Sequence, residues 1–408
     1  MVNQAVILCG GLGKRLMPLT KHTPKPMVMI NKKPFLEYLI YQLKSNGLTN
    51  ILILGGYRSE QIKNYFQNGK NFGVKIEYSN GPIDWDTGTR VFKAEKKLNK
   101  FFLLLYSDNI FSFNLQKIKK NFNKEKNIYF ILKKKEIGNF SIFKDEIKSY
   151  SIKRSKKKNF VELGFSIIKS QSLINYFNKS NKTSINNFYL DSFRKKKVGY
   201  SIHDDLYCSI GDSKRLLETK KFLKPKKIIF IDRDGTINKS PGKGKYLIDE
   251  KKIKYEQEIV KMMKVLSKKG YQFIIITNQA GIALNKLSLS KLKKINDKII
   301  KDLTNLNITI LDLFFCPHHW DDNCRCRKPK AGMFYDASKK YMINLSNSIY
   351  IGDDIRDMMA SENANCKGIF FNDSQKLNII KEYKFTNLLL QSKKIDRIKK
   401  TIFNFYEN

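Results

Sequence analysis

The apolar residues of this 408-residue chain fall in short runs with polar segments between them. Ala5–Cys9, Ile51–Leu54 and Phe101–Tyr106 are almost wholly apolar, and Phe35–Asn46 carries its apolar positions at helical spacing. Short unbroken apolar runs that alternate with amphipathic helices predict strands covered on both faces, the pattern of a parallel α/β sheet. The first run leads into Gly10-Gly11-Leu12-Gly13 and the third ends at Ser107-Asp108, so both groups fall at strand carboxyl ends, where such sheets bind ligands. Asn121–Lys158 is rich in lysine and poor in glycine, and its pattern does not divide. Leu223–Lys227, with Pro225 at its centre, reads as a linker. The alternation then restarts. Strands are predicted over Ile228–Ile231, Phe273–Ile276, Ile310–Phe314 and Ser348–Ile351, with helices over Glu256–Lys269 and Leu287–Leu303. A terminal strand and helix are expected after Asn372. The expectation is two α/β domains, 1–223 and 224–408, without internal repeats.

Charge is the most unusual bulk property: 78 Lys plus Arg against 37 Asp plus Glu, a formal net charge of +41. Such an excess suits a polyanion partner, because bound lysines release counterions from a phosphate backbone. Here the lysines are scattered, and the runs Lys133–Lys135, Lys156–Lys158 and Arg194–Lys197 lie between apolar segments, as solvated faces do. No nucleic-acid-binding motif is present, so no nucleic-acid partner is expected. A hydrophobic fraction of 41% excludes global disorder. No apolar run approaches the roughly 20 residues that span a bilayer, and Ala5–Cys9 is too short for a secretory core. A soluble, cytoplasmic protein is expected; oligomeric state is not readable. Three of the six cysteines, Cys316, Cys324 and Cys326, cluster within eleven residues. In a chain without an export signal, that clustering favours a metal site over disulfides.

In the first half, glycines after a strand allow backbone N–H groups to approach phosphate oxygens, and Arg15 and Lys25 can neutralise a triphosphate. The whole string from Gly10 to Arg15, on through Pro24-Lys25-Pro26, resembles the signature of the sugar-1-phosphate nucleotidyltransferases. The resemblance continues through Pro34-Phe35-Leu36-Glu37, Gly55-Gly56-Tyr57, Thr87-Gly88-Thr89 and Tyr106-Ser107-Asp108, over roughly residues 3–220. It implies a Rossmann-like nucleotidyltransferase domain in which a sugar-1-phosphate oxygen attacks the α-phosphorus of an NTP and pyrophosphate leaves. By the same resemblance Gly10, Gly11, Gly13 and Gly88 bind nucleotide, Arg15 and Lys25 serve the triphosphate, Asp108 binds Mg²⁺, and Glu162 contacts the sugar. One departure stands out. The family's second metal aspartate is replaced by Ser209, in Ser209-Ile210-Gly211-Asp212. Asp205 or Asp212 is the available substitute, and loss of a full charge should weaken Mg²⁺ binding.

In the second half, strand Ile228–Ile231 delivers Asp232-Arg233-Asp234, and two carboxylates so placed can divide the work of nucleophile and general acid/base. Thr277-Asn278-Gln279, Arg327-Lys328-Pro329 and Gly352-Asp353-Asp354, with Asp357 behind, follow in order at strand ends. Together these four elements resemble the haloacid dehalogenase superfamily of phosphatases, with its Rossmannoid fold. The resemblance implies Asp232 as nucleophile, Asp234 as acid/base, Thr277 holding the phosphoryl group, and Lys328 offsetting its charge. Asn278 and Arg327 would bind substrate, and Asp232, Asp234 and Asp353 would hold Mg²⁺. Cys316-Pro317-His318-His319 and Cys324-Arg325-Cys326 resemble the zinc loop of heptose bisphosphate and histidinol phosphatases, which implies structural Zn²⁺ on Cys316, His318, Cys324 and Cys326. That subgroup has an arginine where this chain has Leu284.

The two halves meet in one substrate line, a sugar bisphosphate that loses one phosphate and is then activated at the other. D-glycero-D-manno-heptose 1,7-bisphosphate fits, with sugar phosphates and an NTP as the expected partners. The alternatives are a phosphatase for heptose bisphosphate or histidinol phosphate, joined to a silent nucleotide- or sugar-binding domain. The NTP base and the anomer are not legible.

Overall fold

The computed structural model describes residues 2–180, 183–242, 244–372, 383 and 385–407. It forms two compact units, Met1–Leu223 and Lys224–Asn408. The first is built on a nine-stranded sheet. Phe101–Tyr106, Gln4–Cys9, Asn50–Gly55 and, at the edge, Lys75–Asn80 run parallel in that spatial order. All six residues of Gln4–Cys9 are buried, which is why that strand reads as unbroken apolar sequence. Phe160–Lys169 then adds antiparallel to Phe101–Tyr106 and carries Gly138–Phe143 and Ile128–Lys134 beyond it. The undivided Asn121–Lys158 segment is therefore mostly strand: Ile128–Lys134, Gly138–Phe143 and Glu146–Ser155. The last of these has one buried residue in ten, Tyr150, so its lysine-rich solvent side obscures the alternation.

The second unit has six strands, all parallel, in the order Ile310–Cys316, Gln272–Asn278, Ile228–Ile231, Ile349–Gly352, Lys367–Phe370, Leu388–Gln391. Alternate residues feed two cores. Ile229, Ile231, Phe273 and Ile275 pack on one face, and Ile228, Phe230, Ile274 and Ile276 on the other. Strand Ile228–Ile231 lies where the order reverses, between Gln272–Asn278 and Ile349–Gly352, so its carboxyl end opens into the crevice of a topological switch point. The expected terminal elements are Leu388–Gln391 and the helix Ile395–Glu407; residues 373–382 and 384, within that tail, lie outside those described. No described helix is long and apolar enough to cross a membrane.

Candidate active sites

In the first unit a cleft of about 400 Å³ opens at the carboxyl ends of the parallel strands, and Gly10, Gly11, Gly13, Arg15, Lys25 and Asp108 all line it. Gly13 adopts φ 66°, a left-handed conformation that favours glycine, and its carbonyl accepts from the buried Thr20 hydroxyl at 3.0 Å. Lys25 Nζ meets Asp108 Oδ2 at 2.5 Å, so these two residues pair with each other across the cleft floor. Gly88 and Glu162 are placed differently. Gly88 is packed where a Cβ would strike the Thr183 carbonyl and the Phe177 ring, and its neighbour Thr87 faces the cleft instead. Glu162 lies on Phe160–Lys169, with Oε1 sealed and without a hydrogen-bond partner. Burial pushes its carboxyl up to about 7, against a smaller opposing pull from Arg154.

Ser209 stands in a two-strand ladder opposite Asn109, and Ile210 N–H donates to the Asp108 carbonyl at 2.9 Å. The serine thus occupies the place beside Asp108 where a second carboxylate was sought. Both candidate substitutes make other contacts. Asp212 caps the helix Ser213–Phe222 and pairs with Arg215, while Asp205 is buried and accepts from the Leu206 N–H. Among the described residues Asp86 and Asp108 are the carboxylates that line the cleft, and a Mg²⁺ ion held at Asp108 would take most of its ligands from nucleotide oxygens.

In the second unit Asp232, Asp353 and Asp357 bring carboxylate oxygens within 4.8 Å of one another at the sheet switch point. Lys328 Nζ lies 2.5 Å from Asp232 and 2.7 Å from Asp357, all three nearly fully buried. It also donates to the Tyr350 hydroxyl at 2.9 Å, which donates in turn to Asp357 Oδ1 at 2.9 Å. Burial works against the Lys328 charge, but the two aspartates outweigh it and hold the ammonium above its usual range. Burial raises the Asp232 carboxyl, Lys328 opposes that rise, and Asp357 and Asp353 add to it. Asp353 is pushed up to about 7 by burial and by Asp357. Gly235 sits at φ 100° directly against the Asp353 carboxylate, leaving no room for a side chain. Hard oxygen donors so crowded suit Mg²⁺.

The reading of Asp234 as a side-chain metal ligand does not fit this arrangement. Its oxygens are held by Arg233 at 2.7 Å, Asn238 at 2.9 Å and Gln279 at 2.7 Å, and Asp357 takes the third place in the carboxylate cluster instead. Burial favours a neutral Asp234, but Arg233 and these hydrogen bonds prevail and hold it below its usual range. Arg233 is itself fully buried and braced by Asn296. Thr277 accepts from the Gln279 amide at 2.9 Å, and Asn278 and the Lys328 backbone exchange two hydrogen bonds. Arg233, Gln279 and Tyr350 were not singled out in the sequence. The first two flank motif residues, whereas Tyr350 reads only as part of an apolar strand.

Cys316, His318, Cys324 and Cys326 form a compact group, with Cys316 Sγ 3.6 Å from both His318 Nδ1 and Cys324 Sγ. His318 Nδ1 lies 3.2 Å from Cys326 Sγ, and Cys326 lies 3.5 Å from Cys324. A zinc tetrahedron with bonds of about 2.0–2.3 Å has edges of roughly 3.3–3.8 Å, so the spacing and donor set fit Zn²⁺. His319 caps the short turn Trp320–Asp322, outside the group, and Cys366 is core. Arg327 donates to the His318 carbonyl at 3.3 Å, which joins this loop to the segment bearing Lys328.

Residues 4–162 match the nucleotidyl transferase family, and residues 227–382 match the polynucleotide kinase 3 phosphatase family. The first unit is 32% identical over 215 residues to a D-glycero-alpha-D-manno-heptose 1-phosphate guanylyltransferase of Campylobacter jejuni, covering 51% of this chain and 94% of that protein. The second is 39% identical over 145 residues to a D-glycero-alpha-D-manno-heptose-1,7-bisphosphate 7-phosphatase of Photorhabdus laumondii, covering 34% of this chain and 78% of that protein. The chain belongs to both families. It is a nucleotidyl transferase in its first unit and a phosphatase in its second, as the motif resemblances imply. A histidine biosynthesis bifunctional protein of C. jejuni is 32% identical over 148 residues, covering 36% of this chain and 42% of that protein.

Proposed function

We propose that this chain is a bifunctional enzyme of sugar-nucleotide formation. Its phosphatase unit removes the 7-phosphate of D-glycero-D-manno-heptose 1,7-bisphosphate, and its transferase unit joins a nucleotidyl group to the resulting 1-phosphate. The observation that carries the reading is the buried Asp232–Lys328–Asp357 constellation at the switch point of one unit, in a chain whose other unit has a glycine-loop cleft. Histidine synthesis needs no sugar activation, and the first unit, with its cleft lined by Gly10, Arg15 and Lys25, would be idle there.

For the phosphatase, Asp232 attacks phosphorus; a new O–P bond forms while the bond to the sugar oxygen breaks. Asp234, two residues along and held as the carboxylate by Arg233 and Gln279, relays the proton carried by the substrate's phosphate monoanion to the departing oxygen. As the conjugate base it then takes a proton from water, which attacks the aspartyl phosphate and releases inorganic phosphate. Thr277 and Lys328 hold the phosphoryl oxygens and offset their charge. Asp232, Asp353 and Asp357 would hold Mg²⁺, which supplies electrostatic neutralisation of the phosphoryl group. Zn²⁺ on the cysteine loop would stiffen the approach to Arg327 and Lys328. In the transferase unit, Arg15, Lys25 and the glycine loop bind and orient the triphosphate, and Glu162 is assigned to the sugar.

Purified protein with Mg²⁺ should release phosphate from heptose 1,7-bisphosphate, and Asp232→Asn should abolish that release. Persistence of full activity would refute the nucleophile assignment. A second reading, a phosphatase with a silent first unit, is favoured by Ser209. It requires that NTP plus heptose 1-phosphate yield no pyrophosphate.

A further inference from the structure

Arg90 is a buried cation that no motif accounts for. It is 5% exposed, lies on the helix Thr87–Lys93, and has no carboxylate within ion-pairing distance among the described residues. Its guanidinium is held by backbone carbonyls instead: Nη1 donates to Gly55 O at 2.6 Å and Gly81 O at 3.4 Å, and Nη2 donates to Pro82 O at 2.5 Å. Gly10 and Gly56 press bare α-carbons against it, and a Cβ at either position would collide with the guanidinium. Gly10 therefore has a second role besides nearness to phosphate.

The carbonyls that Arg90 gathers belong to the end of strand Asn50–Gly55 and to the turn after Lys75–Asn80. That turn carries Trp85, whose ring lies over Gly81 and whose backbone N–H donates to the Pro82 carbonyl at 3.3 Å. Trp85 is half-buried and, with Ile83, lines the cleft that also holds Gly10, Arg15 and Lys25. The cleft thus has a cationic, glycine-lined part suited to phosphates and an aromatic part. The planar fork spreads separate nitrogens over carbonyls from two chain segments, a spread that the single ammonium of lysine matches poorly.

We infer that Arg90 is a positioning residue: it clamps the Gly81–Asp86 turn so that Trp85 presents its indole face as the platform on which the nucleobase of the bound nucleotide stacks. This rests on the reading of the cleft as a nucleoside triphosphate site. Base–aromatic stacking tolerates any base, so the platform contributes affinity and leaves base choice to other groups.

Trp85 and Trp320 are the two tryptophans, so full-length Trp320→Phe protein reports Trp85 alone. GTP should change its fluorescence saturably, and inorganic tripolyphosphate, which lacks a base, should bind without that change. Arg90→Ala should shift Trp85 emission to the red before any nucleotide is added. It should weaken GTP by about tenfold or more, leave tripolyphosphate affinity within about twofold, and raise KM for GTP more than it lowers kcat. Arg90→Lys should restore only part of the loss. Trp85→Phe, read by calorimetry, should keep GTP affinity within about fivefold, and Trp85→Ala should not; these variants test the platform should Arg90→Ala fail to fold. Unchanged Trp85 emission in Arg90→Ala, GTP binding that leaves Trp85 unperturbed, or equal weakening of GTP and tripolyphosphate would overturn the inference. Failure of both probes to bind would overturn the nucleotide reading, and this inference with it.

Discussion

Glu162 allows the electrostatics of the first unit to be tested separately from its chemistry. Its Oε1 is sealed without a partner, and its carboxyl is pushed from 4.5 up to about 7 by burial. A carboxyl whose folded pKa is raised binds its proton more tightly folded than unfolded. Folding is therefore penalised as pH rises from about 4.5 to about 7, and the penalty is full above that window. That gap, at about 1.36 kcal/mol per pH unit, gives a full penalty of about 3 kcal/mol. Glu162→Gln keeps the shape and removes the ionisation. Urea unfolding of the full chain in the Trp320→Phe background, followed at Trp85, should show the first unit stabilised by about 3 kcal/mol at pH 8 and about 1 kcal/mol at pH 5. The same substitution should weaken sugar 1-phosphate, because a carboxylate assigned to sugar hydroxyls is lost, an instance of stability traded against function. A stability difference that does not change between pH 5 and pH 8 would refute the account, since only ionisation carries the pH dependence.

Further outcomes follow from the same geometry. Lys328→Met leaves Asp232 and Asp357 buried without their cation, and should destabilise the second unit by about 3–5 kcal/mol in urea melts as well as abolish phosphate release. Tyr350→Phe removes the hydroxyl that bridges Lys328 and Asp357; phosphatase kcat should fall about tenfold with KM little changed, and an unaltered kcat would mean the bridge is only structural. Elemental analysis should find one zinc per chain, lost in Cys324→Ser, and chelation should slow phosphate release by loosening the segment that Arg327 ties to His318. Ser209→Asp should tighten Mg²⁺ binding in the presence of NTP and raise pyrophosphate release; no change in either would show that Asp108 and the nucleotide suffice.

The central strands and the residues at their ends were legible in the sequence because a strand covered on both faces must be apolar throughout. Its last residue then marks the place where polar chemistry begins. Gln4–Cys9 before the glycine loop and Ile228–Ile231 before Asp232 both follow that rule. Glu146–Ser155 and Lys75–Asn80 escaped it, because strands with a solvent face need only half their positions apolar and this chain fills the rest with lysine and serine.

Local chemistry also fixed which residue types stand at the sites: Asp232, Thr277, Lys328 and Asp353 by motif, and the cysteine loop by spacing. What tertiary structure alone decided was the pairing between them. Asp357 joins Asp232 and Asp353 while Asp234 turns to Arg233. Tyr350, from an apolar strand, bridges Lys328. Arg90 is buried on carbonyls from two other strand ends. A sequence records periodicity along one element, and these contacts join elements tens of residues apart. Which partner a buried charge finds depends on what the packed sheet brings within about 3 Å, because in a low-dielectric interior an unpaired charge is far costlier than a paired one.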